Sequence, residues 1–167
     1  MATTVPEPWL QGTLTDAPAV PRAVLHALEL AGQDLRHWCG DLDEEQLNAS
    51  PKGLPSVGFH IRHIARSLDR LLTYAEGSLL NNAQMKALKA ELSAHSTANE
   101  LFTELDSAMA SATRRVRTID PARLEEVRTV GRGKLPTTLG GLLVHVADHT
   151  QRHVGQAITT AKFLKGK

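Results

Sequence analysis

The stretch at 145–153, HVADHTQRH, contains His145, His149 and His153 at intervals of four, from a total of eight histidines. In an α-helix, residues four apart differ by about 40° and about 6 Å, so two neighbouring imidazoles of this run can reach one ion. His145 and His153 differ by about 80° and about 12 Å, too far to share metal–nitrogen bonds of about 2.0–2.1 Å. The run therefore predicts two ligands for one metal ion, with a third from elsewhere.

A second histidine pair can supply that third ligand. In FHIRHI, His60 and His63 are three apart, and one of them shares an apolar helical stripe with Phe59. Two imidazoles from one helix and one from a facing helix form a neutral site with an open position, as in reactive metal centres. Neutral imidazoles suit Zn²⁺, Ni²⁺, Fe²⁺ or Cu²⁺. Ordinary hydrogen-bonded histidines are the alternative interpretation, and we adopt it for three others, His26, His37 and His95.

Four amphipathic helices are predicted to position these residues. Apolar residues recur at intervals of three, four and seven from about 21 to 39, 56 to 76, 97 to 119 and 138 to 163. Ser56, Thr97 and Thr138 are candidate N-caps, and Gly77 follows the second helix as a candidate C-terminal glycine. A short helical piece follows Asn81, and the stretch DPARLEEVRTVGRGKLPTT is expected to be an irregular crossover. The fold class is therefore all-α, a four-helix bundle with longer crossover connections.

The chain divides into a short arm and one domain. Residues 1–20 hold four prolines and are expected to form an extended arm packed on the body through Trp9 and Leu10. Residues 21–167 form a single domain of ordinary size.

Composition excludes several classes of partner. Nineteen Lys and Arg residues against eighteen Asp and Glu residues give a net charge of +1, so we expect no nucleic-acid partner. No apolar run approaches the roughly 20 residues that span a bilayer, so we expect no membrane partner. The single cysteine, Cys39, excludes an intramolecular disulfide and fits a reducing compartment. Because the N-terminus also lacks the pattern of a signal peptide, we expect a cytoplasmic protein.

Two motifs, GFHIRHIARSLDRLLTYAEG and LGGLLVHVADHTQRHVGQA, resemble those of the DinB-like (DinB/YfiT) superfamily, and the resemblance covers most of the chain from Pro21 onward. The family's terminal pattern is a histidine, three residues, a second histidine, a variable residue and Gly-Gln. It matches His149, His153, Gly155 and Gln156. The family often has an arginine directly after the second histidine, where this chain has valine.

The resemblance implies a DinB-like four-helix bundle whose metal ligands are one histidine of the second helix and two of the last. The family's second-helix ligand precedes a small apolar stretch, HIAR here, so the implied set is His63, His149 and His153. His60 and His145 each lie near a ligand along the same helix. We predict that they contact a metal-binding histidine from outside or line the pocket, with a ligand role as the alternative, and we assign no catalytic residue.

The resemblance also implies a function. Members of the family bind a divalent metal, often zinc or nickel, are frequently homodimers, and include transferases that use low-molecular-weight thiols. We therefore expect a homodimer, one divalent transition metal ion, and a metal-dependent transferase that uses a small thiol cosubstrate on a small electrophilic substrate. A three-histidine Lewis acid can stabilise a thiolate near neutral pH. The alternatives are a metal-dependent hydrolase and a non-catalytic metal-binding or stress-response protein.

Overall fold

The computed structural model describes residues 5–92 and 95–166 and is mostly helical. Its elements, in chain order, are α1 (Ala19–Cys39), α2 (Glu44–Asn48), α3 (Val57–Ala75), α4 (Asn82–Lys89), α5 (Ala98–Arg117), β1 (Val127–Val130), β2 (Leu135–Thr138) and α6 (Leu139–Leu164). Residues 1–4 of the predicted arm and Lys167 of the predicted domain lie outside the described residues. Within the described ranges, no helix has both the length and the apolar character needed to cross a membrane.

The ends of the long helices follow from local side-chain chemistry, as predicted. The Ser56 hydroxyl accepts a hydrogen bond from the third backbone N–H of α3 at 3.0 Å. Thr97 and Glu100 form a reciprocal capping box at the start of α5, and the Thr138 hydroxyl caps α6 at 3.0 Å. Gly77 follows α3 with φ +83°, a conformation that glycine adopts without a side-chain penalty. These caps fix the start of α3 and α6, the helices that carry the histidines.

The four long helices enclose one aliphatic core. α6 packs against α1 and α3, and α3 also packs against α5. Each fully buried leucine or isoleucine stabilises the fold by roughly 1.5–3 kcal/mol relative to an exposed one. The buried side chains come from all four helices and include Leu28, Leu35, Ile61, Ile64, Leu68, Leu101, Leu105, Leu143 and Val146. The four-helix bundle predicted from the sequence is confirmed.

The predicted irregular crossover before the last helix contains a β-hairpin. β1 and β2 pair antiparallel, with Val127 opposite Thr138 and Val130 opposite Leu135. The turn between them uses positive φ angles at Gly131 (+70°) and Lys134 (+48°). Prolines and glycines in this stretch weakened the strand pattern, but a proline is tolerated in an edge strand, and both strands of a two-stranded sheet are edges. The hairpin leads directly into the N-cap of α6.

The segment before α1 contacts the body differently from what we predicted. Trp9 and Leu10 are 61% and 58% exposed, so the prediction that they dock this segment is wrong. Pro8 and Ala17 are buried instead. The indole N–H of Trp9 donates to the Glu7 carboxylate at 2.7 Å, which holds the ring at the surface.

Candidate metal centre

The candidate site lies where α3 and α6 pack side by side. His63 is near the middle of α3, and His149 and His153 are one turn apart near the middle of α6. The structure brings together all three residues of the predicted ligand set. One ligand atom from each of the three lies within 4.8 Å of the others. The ring centroids are 4.3 Å apart for His63 and His153, 5.1 Å for His63 and His149, and 4.6 Å for His149 and His153.

The spacing of the nitrogen atoms fits a transition-metal ion. A tetrahedral ion with bonds of about 2.0–2.1 Å separates its ligand nitrogens by roughly 3.3 Å. The Nε2 atoms of His63 and His149 are 3.0 Å apart, which is close to this separation. The donor set is three imidazoles, which leaves a fourth tetrahedral position for water or a substrate. The residues present therefore fit one divalent transition-metal ion.

A buried carboxylate sets the orientation of His63. Nδ1 of His63 lies 2.7 Å from Oε2 of Glu91. Burial alone would raise the pKa of Glu91. Hydrogen bonds from His63 and Arg70 outweigh this effect, so the pKa of Glu91 lies below its ordinary value. An ionised carboxylate only accepts hydrogen bonds, so Nδ1 of His63 carries the proton. The lone pair of His63 is then on Nε2, which faces His149.

His60 contacts His153 much as Glu91 contacts His63. Its Nδ1 lies 3.0 Å from Nδ1 of His153, and the residue is buried. This contact engages Nδ1 of His153, so Nε2 of that ring stays available as a ligand atom. The sequence placed His60 near the candidate ligands, and the structure puts it in direct contact with His153.

Three of these imidazoles are neutral at physiological pH. Burial first, and neighbouring histidines second, lower the pKa of His60, His149 and His153 to about 4. A metal ion binds the neutral form of imidazole, so no proton has to be displaced from these rings near pH 7. These three rings are therefore already in the protonation state that metal binding requires.

His145 lies at the rim of the cluster. Its ring centroid is 5.3 Å from that of His149, but its side chain is 44% exposed and its Nδ1 is 3.2 Å from the Asp148 carboxylate. Asp148 also accepts a hydrogen bond from Arg152 at 3.4 Å. His145 is therefore a solvent-facing neighbour of the site.

A cavity of about 410 Å³ adjoins the cluster. Its wall combines the apolar side chains of Leu54 and Pro55 with polar groups of His60, Arg152, Gln156 and Thr159. His60 belongs both to this wall and to the histidine cluster. A small molecule in the cavity would thus lie next to a residue that contacts His153.

Two functional features escaped the sequence analysis. Glu91 was not among the candidates, because it lies 28 residues from His63 and no local spacing connects them. Arg62 was not among the candidates either; it is 2% exposed and donates to the Glu91 backbone carbonyl at 3.1 Å and to Ser96 Oγ at 2.7 Å.

The fold and the site define a class of protein: a four-helix bundle with three convergent histidines from two of its helices. Residues 27–157 match the family model of the DinB superfamily, and the chain belongs to this superfamily. No curated protein matches the sequence significantly.

Two solved structures share the fold. A conserved protein from Enterococcus faecalis is 23% identical, with a TM-score of 0.71, over 90% of this chain and 100% of that one. YfiT from Bacillus subtilis is 18% identical, with a TM-score of 0.64, over 87% of both chains. YfiT is described as a probable metal-dependent hydrolase with an unusual four-helix bundle topology.

Proposed function

We propose that His63, His149 and His153 bind one divalent transition metal ion, with zinc or nickel as the expected metals. The observation that carries this proposal is the convergence of their ligand atoms within 4.8 Å of one another. Imidazole nitrogen suits both ions, and the neutral state of two of these rings removes competition from protons. All three rings come from helix interiors, which hold them more firmly than loops would.

We further propose that the protein is a metal-dependent transferase that acts with a low-molecular-weight thiol on a small electrophilic molecule. When bound, the ion supplies Lewis acidity that lowers the pKa of a coordinated thiol and makes a nucleophile near neutral pH. The chain's own thiol does not take this part, because Cys39 is buried in the core and burial raises its pKa to about 11. His60 holds His153 in place and lines the adjoining cavity, where the electrophile would bind.

A hydrolase is the second candidate, and the description of YfiT as a probable metal-dependent hydrolase favours it. The same site would then activate water instead of a thiol. The two candidates differ in a single requirement, since a hydrolase turns over its substrate without added thiol. A non-catalytic metal-binding or stress-response protein is the third possibility, in which metal raises the melting temperature and no turnover occurs.

The test is an assay of the zinc-loaded and nickel-loaded protein with glutathione, cysteine or coenzyme A and a generic electrophile such as 1-chloro-2,4-dinitrobenzene. We expect conjugation that depends on metal and thiol and that is lost in the triple variant His63→Ala, His149→Ala, His153→Ala. Equal rates for the metal-loaded protein and the triple variant with every thiol would contradict the transferase. Ester or amide cleavage without thiol, lost in the same variant, would establish the hydrolase instead.

The homodimer and the cytoplasmic location remain predictions. Sedimentation velocity on the zinc-loaded protein checks the first, with about twice the 18.1 kDa chain mass expected. A single species at the mass of one chain would exclude the dimer.

A further inference from the structure

Glu91 is a buried carboxylate that reaches into the histidine cluster from outside α3 and α6. It lies just after α4 and is only 3% exposed. One carboxylate oxygen faces His63 Nδ1 at 2.7 Å, and the other pairs with the guanidinium of Arg70. Its backbone carbonyl accepts a hydrogen bond from Arg62 at 3.1 Å. Glu91 is therefore fixed from two sides by arginines of the same helix that carries His63.

This arrangement is a poor way to stabilise a helical bundle. Taking a carboxylate and an arginine out of water carries a large desolvation cost, and well-packed apolar residues often stabilise a fold as well or better. A buried ion pair of this kind is thus better explained by what it positions. What it positions here is one ring of the candidate metal centre.

We propose that Glu91 is a positioning residue for the metal centre, which fixes the Nδ1-protonated tautomer of His63 and aims its Nε2 lone pair at the ion. Metal-binding histidines commonly donate their other N–H to a carboxylate, which fixes the ring and strengthens the nitrogen as a ligand. The inference rests on the metal binding proposed above. It adds a residue that no local motif contains, together with two arginines, Arg62 and Arg70, that hold that residue.

Glutamine at position 91 could not fix this tautomer of His63, because of the hydrogen-bonding groups that Arg70 and His63 present to it. Arg70 has only donor groups, so a glutamine at position 91 must present its carbonyl oxygen to Arg70. Its NH₂ group would then face His63 Nδ1, which has to become an acceptor. The proton of His63 would move to Nε2 and point into the cluster, where it blocks the ligand atom.

The experiment compares Glu91→Gln with a matched control, Glu104→Gln. Glu104 also pairs with an arginine of α3, Arg66, at 2.7 Å, and among the described residues no hydrogen bond or ion pair joins it to a histidine of the cluster. Zinc affinity is measured by competition with a chromophoric chelator. We expect Glu91→Gln to weaken zinc binding by about 10- to 100-fold and Glu104→Gln to change it by less than about 3-fold.

A second readout does not depend on metal. Long-range ¹H–¹⁵N correlation spectra of the metal-free protein report which nitrogen of His63 carries the proton. We expect Nδ1 in the wild type and in Glu104→Gln, and Nε2 in Glu91→Gln. The wild-type spectrum decides the matter even if Glu91→Gln does not fold, since a proton on Nε2 in the wild type would overturn the inference.

The outcomes separate this inference from the proposed function. If the wild type binds zinc and Glu91→Gln binds it equally well with an unchanged tautomer, the inference about Glu91 fails and the metal site stands. If the wild type binds no zinc, the metal site fails and the inference fails with it.

Discussion

Two polar clusters lie between the helices of this bundle, and their chemistry differs. The charged cluster, between α3 and α5, consists of Arg115, Asp69 and Glu76. The guanidinium donates to Glu76 at 2.6 and 2.8 Å and to Asp69 at 2.8 Å. The histidine cluster, between α3 and α6, consists of His60, His63, His149 and His153, with ring centroids as close as 4.3 Å.

The two clusters differ in whether their own members satisfy one another's hydrogen-bonding groups. In the charged cluster, each donor meets an acceptor of opposite charge, so the group is satisfied by its own members. In the histidine cluster, like groups face each other, and burial with mutual repulsion lowers the pKa of three imidazoles to about 4. Several lone pairs converge where a cation would satisfy them. A polar cluster whose donors and acceptors match serves the fold, whereas converging imidazole lone pairs indicate a site for a cation.

The largest expected effect is the loss of metal binding when a ligand is removed. His149→Ala leaves two imidazoles, so we expect zinc affinity to fall by at least about 100-fold, beyond the range typical of outer partners. The matched control is His95→Ala, which removes an exposed imidazole 3.6 Å from a Glu44 oxygen. Competition with a chromophoric chelator measures the zinc affinity of both variants. Equal affinities in the two variants would place the ion elsewhere.

The histidine cluster should also respond to acid in a different pH range from an ordinary ion pair elsewhere in the chain. His149 and His153 have folded-state pKa values of about 4 against 6.5 for the free side chain, so the unfolded chain binds more protons below about pH 6.5. The stability of the metal-free protein should therefore fall as pH drops from about 6.5 to about 4.

A carboxylate of the ordinary ion pairs titrates lower. Hydrogen bonds from Arg123 and Arg128 lower the pKa of Glu126 to about 2 from 4.5, so its contribution is present above about pH 4.5 and is lost toward pH 2. Urea unfolding in EDTA at a series of pH values measures both ranges. Constant stability between pH 7 and 4.5 would show that the imidazoles are not held neutral.

A smaller effect is expected when the charged cluster is broken. Glu76→Gln removes the bidentate partner of Arg115, whose side chain is largely covered, and should lower the free energy of unfolding by about 1 kcal/mol. Zinc affinity should stay within about 2-fold of the wild type, because the cluster serves the fold alone. Urea unfolding measures the change in the free energy of unfolding, and chelator competition measures the zinc affinity. A loss of zinc binding would mean that the clusters are coupled.

The smallest effect concerns a polar atom in the core. The buried hydroxyl of Thr150 has no hydrogen-bond partner within the part of the chain that the structure describes. Thr150→Val removes this unsatisfied group and should raise the free energy of unfolding by about 0.5 kcal/mol. Thr159→Val is the control, since its hydroxyl already donates to the Gly155 carbonyl at 2.8 Å. A destabilised Thr150→Val protein would show that the hydroxyl has a partner after all.

Local patterns account for what the sequence predicted well. The caps at Ser56, Thr97 and Thr138 depend on contacts across three residues, so they can be identified without a structure. The i,i+4 spacing of His149 and His153 is equally local. The contact of these residues with His63 could not be predicted without knowledge of the fold, and the resemblance to a known family supplied that knowledge.

Features that join distant segments were not predictable from the same patterns. Glu91 approaches His63 only because the chain returns to α3 after α4, and no periodicity connects the two. The burial of Arg62 depends on the same return of the chain. The hairpin of β1 and β2 was missed for a different reason, since its prolines and glycines resemble those of a loop.

The most direct test of the metal centre is a crystal structure of the zinc-soaked protein with anomalous data collected at the zinc absorption edge. We predict one strong anomalous peak, about 2.0–2.1 Å from a nitrogen of each of His63, His149 and His153. His63 should ligate through Nε2, with Nδ1 still bonded to Glu91. A structure with no peak between these rings, or with zinc only at exposed histidines such as His95, would contradict it.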